Sequence, residues 1–138
     1  MATIKSYTGI EQSKQLAKIL PLESADMHYN NASIKGINYV DEYRAELMDY
    51  NTAQKVLSKY LINPIFGNIP CWSLSALLGV LSKTAHSIDE DGFVGLGSYK
   101  NIEWGLCLTN TNVELFTANN PVDACYKMII KLNELNLL

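Results

Sequence analysis

Apolar residues first fall into a helical rhythm at Ile10, Leu16, Ala17, Ile19 and Leu20, with Lys14 and Lys18 turned the other way. That spacing predicts a helix over residues 9–20. Thr8 and Glu11 stand in the Thr-x-x-Glu order of a capping box, and Pro21 stops the element. Residues 26–29 and 33–40 read as short strands around Asn30-Asn31, a pair that tolerates a left-handed turn, so a hairpin is expected there. Residues 41–50 fit both helical spacing (Tyr39, Tyr43, Leu47, Tyr50) and strand alternation (Tyr43, Ala45, Leu47), and both readings stay open. A helix is expected over 52–61, with Asn51 as cap and Gln54 as its reciprocal partner. Leu74, Leu77, Leu78 and Leu81 predict a helix over 69–82 with Pro70 in its first turn. Three β-like runs follow at 93–99, 102–109 and 113–118, separated by Lys100-Asn101 and Asn110-Thr111-Asn112, which is the pattern of an antiparallel meander. The last helix starts from the cap Asn120 and Pro121. Its buried face is expected to be Val122, Cys125, Met128, Ile129, Leu132 and Leu135.

These elements predict an α+β fold: one antiparallel meander sheet with three or four helices packed mainly on one face. The expected core is Leu16, Leu20, Trp72, Leu74, Leu77, Leu78, Leu81, Trp104, Leu106, Phe116, Cys125, Ile129 and Leu132. The 138 residues suit a single globular domain, and no linker or repeat divides them. With 48% hydrophobic and 18% charged residues, the chain has the makings of a packed core rather than of a disordered segment. Its formal charge of −3 and its single arginine, Arg44, leave no phosphate-tracking stripe, so neither nucleic acid nor an anionic membrane is an expected partner. The start of the sequence lacks the apolar stretch of a signal peptide, and no window reaches the length of a membrane span. Three widely spaced cysteines, Cys71, Cys107 and Cys125, fit buried thiols better than a disulfide framework. A cytoplasmic protein is the expectation.

Little in the sequence is arranged for chemistry. The two histidines, His28 and His86, have no closely spaced Cys or His partner, so no metal and no cofactor is expected. His86 reads as a loop residue beside the acidic run Asp89-Glu90-Asp91. Cys71, placed in a helical first turn, is the one thiol that a helix dipole could activate, and His28 beside Asp26 is the better histidine. Both have simpler readings, as a small core residue and as the outer face of a strand. The run from Asp89 fails as a calcium loop because Lys100 occupies its closing position, and Gly92, Gly95 and Gly97 are out of order for a dinucleotide loop. No catalytic residue is assigned. Tyrosines crowd the first half, and Tyr29, Tyr39, Tyr43, Arg44 and His28 are the candidate binding residues, because tyrosine joins a broad apolar face to a polar tip; the simpler reading is that these rings roof the core.

Three stretches carry a resemblance: Leu20-Pro21-Leu22-Glu23-Ser24-Ala25-Asp26-Met27, Ile69-Pro70-Cys71-Trp72-Ser73-Leu74-Ser75-Ala76-Leu77-Leu78, and Asn120-Pro121-Val122-Asp123-Ala124-Cys125-Tyr126-Lys127-Met128-Ile129-Ile130-Lys131-Leu132. Together they resemble small proteins of phages and mobile elements from gut Bacteroides-type bacteria, a likeness that does not extend over residues 30–66. It implies an accessory protein and brings no catalytic residues with it. The expected function is non-catalytic binding of a host protein, in counter-defence or regulation. A small-ligand or nucleotide-signal binder is the alternative, and an enzyme using Cys71 or His28 ranks third, for want of a paired acid and base. Leu137 and Leu138 extend the apolar character of the last helix beyond its own buried face. Rimmed by Lys131 and Glu134, they favour a homodimer through the C-terminal helix.

Overall fold

A computed structural model describes residues 5–30, 44–46, 69–99, 103–108 and 116–138. In chain order these form α1 (Ile10–Leu16), a 3-10 turn (Leu22–Ser24), β1 (Met27–Asn30), β2 (Arg44–Glu46), β3 (Ile69–Cys71) and α2 (Leu74–Ile88). They continue with β4 (Val94–Tyr99), β5 (Glu103–Leu108), β6 (Phe116–Ala118) and α3 (Pro121–Glu134). The fold is α+β, as the hydrophobic pattern predicts. Among the described residues the strands form two antiparallel three-stranded sheets rather than one, in the orders β2-β1-β3 and β4-β5-β6. The expected strand at 33–40, the turn at Asn31 and the helix at 52–61 lie outside the described residues. Within the ambiguous 41–50 segment, residues 44–46 are strand. By their contacts the residues divide into two compact units, one of Gly9–Ser73 and one of Met1–Thr8 with Leu74–Leu138.

In the first unit, α1 is shorter than its apolar spacing implies. Its N-cap is Gly9 rather than Thr8, and the Gly9 N–H donates to Gln12 Oε1 at 3.0 Å, so Gln12 takes the part expected of Glu11. Thr8 is itself buried. The larger difference is at Ile69–Cys71, which is a strand and not the first turn of a helix. β1 pairs with it in the register Met27↔Cys71, His28↔Pro70 and Tyr29↔Ile69. Proline suits a helical first turn and an edge strand equally, since neither asks for its missing N–H. Here β3 is an edge of the described sheet, and the distant β1 decides the outcome. Because side chains alternate across a strand, Met27, Tyr29 and Cys71 meet on one face with Ile10 and Ile69 packed against them.

In the second unit, α3 lies against β5 and β6, and α2 packs on α3 and reaches β4. Leu77, Leu81 and Ala85 from α2, Leu106 and Leu108 from β5, and Val122, Cys125, Met128, Ile129 and Leu132 from α3 form its buried side. Leu74, Leu78, Trp104 and Phe116, expected in the core, are half-buried. Leu135 is 45% exposed, because α3 ends at Glu134 and Leu135 is its C-cap. At the other end of α3, Asn120 Oδ1 accepts from the Asp123 N–H at 2.8 Å while Asn120 Nδ2 donates to Asp123 Oδ2 at 2.8 Å. Lys5 Nζ donates to the other Asp123 oxygen at 2.9 Å, and the Leu74 N–H donates to the Ser6 carbonyl at 3.0 Å, so residues 5–8 are tied into this unit. Among the described residues, no helix is long and apolar enough to cross a membrane.

Candidate functional site

Of the candidate binding residues, the two whose burial is described, Tyr29 and His28, are enclosed. Tyr29 is 6% exposed inside the Met27–Cys71 core and His28 is fully buried. Arg44 begins β2, opposite Asn30. Tyr39 and Tyr43 lie outside the described residues. A partner therefore cannot engage the protein first through Tyr29 or His28, both of which are enclosed.

The groups considered for catalysis are also set apart. Cys71 and His28 are brought into one sheet, but strand alternation puts Cys71 on the face of Met27 and His28 on the opposite one. Cys71 is fully buried on β3 and gains nothing from a helix dipole, which corrects its placement in a helical first turn. Asp26, beside His28 in sequence, is engaged elsewhere. Its Oδ1 accepts from the Ser73 N–H at 2.9 Å, and its Oδ2 accepts from the Ser73 hydroxyl. Next to this pair, Trp72 Nε1 donates to Ser24 Oγ at 2.9 Å, and Ser24 Oγ donates to the Pro21 carbonyl at 2.5 Å. Two of the three stretches that carry the resemblance, 20–27 and 69–78, thus meet through their polar residues. The resulting joint spends its donors and acceptors on holding the chain together. Cys125 is buried in the second unit, where desolvation pushes its thiol up to about 12, so at neutral pH it carries no thiolate. Cys107, half-buried on β5, faces Gly95 across the strands.

The side chain best placed to touch another molecule was not among the candidates. α2 runs on to Ile88, past its expected end at Ser82, so His86 is in its last turn rather than in a loop. From there the chain turns tightly. The Asp89 N–H donates to the Ala85 carbonyl at 3.0 Å, the Gly92 N–H to the Asp89 carbonyl at 2.7 Å, and the Asp91 N–H to Asp89 Oδ1 at 2.9 Å. His86 Nδ1 lies 3.2 Å from the Glu90 carbonyl oxygen. Gly92 is buried so closely that a Cβ there would stand 2.5 Å from the Ala85 oxygen. The next residue, Phe93, is 60% exposed, more than any other large apolar side chain described. Glu90 and Asp91 beside it are exposed and Asp89 is half-buried. A hydrogen-bonded turn thus presents an aromatic ring next to three acidic residues. In sequence Phe93 begins a β-like run directly after the acidic residues, and nothing there marks it as exposed.

Among the described residues, no group of three or more His, Cys, Asp or Glu side chains could hold a metal ion. In comparisons with known proteins, no family model, no curated protein and no solved structure matches the chain.

Proposed function

We propose that this chain is a small non-catalytic accessory protein of a phage or mobile element that acts by binding a host protein. The observation that carries the reading is Phe93, an aromatic ring 60% exposed on a turn held by backbone hydrogen bonds at Ala85 and Asp89. Exposed aromatics on rigid supports are the anchors on which protein interfaces concentrate their binding energy, and pre-organisation lowers the entropic cost of docking. The adjoining Asp89, Glu90 and Asp91 select a partner with a basic rim around an apolar pocket. The enclosure of Cys71 and His28 on opposite faces of one sheet speaks against the enzyme reading built on those two residues.

The test is a pull-down from host lysate on immobilised wild-type protein and on Phe93→Ser, followed by direct binding of the retained protein after purification. A host protein held by the wild type, lost by Phe93→Ser and released by moderate salt is the expected result. Retention of the same protein by both would remove Phe93 as the anchor. A metabolite released from the wild type on heating, with no protein retained, would favour the small-ligand alternative.

A further inference from the structure

We infer that a second copy of this chain docks antiparallel on the outer face of α3, across a two-fold axis that sets Lys131 of each copy against Glu134 of the other. This surface is separate from the Phe93 turn and goes beyond the host-binding reading. The outward side of α3 carries Lys127, Ile130, Lys131 and Glu134 at helical spacing, with Ile130 only half-buried. Beyond the helix the chain turns back and does not fray. Asn136 adopts a left-handed conformation with φ 56°, the Asn136 N–H donates to the Asn133 carbonyl at 3.1 Å, and the Leu137 N–H donates to the Leu132 carbonyl at 2.9 Å. These are the two hydrogen bonds of a Schellman motif, with asparagine where glycine is usual. Leu135, Leu137 and Leu138 are thereby held at 45%, 37% and 45% exposure, an apolar group fixed next to the charged strip.

The charges choose the occupant. Lys131 and Glu134 lie 3.6 Å apart within one helix, with side chains 46% and 61% exposed. In that order, lysine before glutamate, a helical pair is the weaker arrangement, and Glu134 in the last turn stands at the negative end of the helix dipole. Its carboxylate gains from a cation supplied by another molecule. A two-fold axis midway between residues 131 and 134 supplies one twice, since Lys131 of each copy then faces Glu134 of the other. The same operation places Ile130 opposite Leu135, so that this leucine is covered and the two helix dipoles run antiparallel. One symmetric surface satisfies itself, as a two-fold contact requires. With contacts confined to the end of one helix, the dimer belongs to the micromolar range.

Sedimentation velocity on the full chain over a micromolar concentration series tests this. The wild type is expected to move from the 15.4 kDa chain mass toward twice that value. Lys131→Glu and Glu134→Lys, each alone, place like charges across the axis and should weaken association by about tenfold. Mixing the two single variants restores opposite charges at both crossings, so the mixture should form a dimer where neither variant alone does. A wild type monomeric throughout the series would overturn the proposal. So would single variants that associate like the wild type, or a mixture that associates no better than its components. All the substituted side chains are exposed, and circular dichroism of each variant verifies its fold.

Discussion

Two glycines of the second unit should respond to alanine with opposite signs. Gly92 is buried, and a Cβ added there would lie 2.5 Å from the Ala85 carbonyl oxygen and 2.9 Å from that of Asp89, both backbone atoms. Ordinary contact begins at 3.4 Å, so the turn would have to open by about 0.9 Å. Opening it strains the bonds that close it, from the Gly92 N–H to the Asp89 carbonyl at 2.7 Å and from the Asp89 N–H to the Ala85 carbonyl at 3.0 Å. Overpacking costs roughly 1–3 kcal/mol and a weakened hydrogen bond about 1 kcal/mol, so Gly92→Ala should lose about 2–4 kcal/mol. Gly79 lies in α2, exposed, with nothing within 4 Å of the new Cβ. Alanine there removes backbone freedom from the unfolded chain and should gain roughly 0.5–1 kcal/mol. Urea denaturation followed by far-ultraviolet circular dichroism measures both variants against the wild type. For a chain of this size each kcal/mol corresponds to about 4 °C in Tm, so thermal melts should separate the two by about 10–20 °C. A Gly92→Ala protein within about 0.5 kcal/mol of the wild type would refute the close approach at the turn, and two shifts of the same sign would refute the contrast.

Other substitutions probe the remaining contacts. Burial holds the folded-state Cys125 thiol near 12 against 9.0 for a free one, so the stability it contributes is complete below pH 9 and is lost as pH rises toward 12. Over that window the wild type should lose up to about 1.4 kcal/mol per pH unit more than Cys125→Ala, and equal slopes in urea titrations of the two would contradict the enclosure. Asn120→Ala removes the acceptor of the Asp123 N–H and should cost about 1 kcal/mol in chemical denaturation; no loss would mean that the cap is idle. Ser24→Ala leaves the buried Trp72 without the oxygen its Nε1–H donates to, which should cost about 1–3 kcal/mol and alter tryptophan emission. An unchanged emission spectrum and urea midpoint would argue against that bond.

The parts of the fold that could be read from the sequence were those whose determinants sit close together. Asn120-Pro121 with Val122, Cys125, Ile129 and Leu132 specifies α3 within fourteen residues, and the strand runs of the meander pair with their immediate neighbours. The start of α2 was misjudged because Pro70 is compatible with two elements and the strand that decides between them lies more than forty residues away. The contact of Asp26 with Ser73 spans 47 positions, and that of Lys5 with Asp123 spans 118, so no local spacing could announce either. His28 reads as the outer face of a strand, whereas Tyr29 reads either as a binding residue or as part of the roof of the core, and both are buried. The alternation of Met27, His28 and Tyr29 is consistent with one wet face, and nothing local reveals that both faces are covered. Phe93 opens a β-like run in the sequence, whereas β4 starts one residue later and the ring, following the buried Gly92, is exposed.

The pairing of Lys5 with Asp123 has a consequence for how the protein is made. Residues 5–8 are synthesised before the carboxylate that holds Lys5, which follows 118 residues later. At about 5–20 residues per second, this segment waits several seconds or more for its partner, while the continuous stretch Gly9–Ser73 already has all of its own sequence available. The unit made of Met1–Thr8 and Leu74–Leu138 therefore cannot close until α3 has emerged.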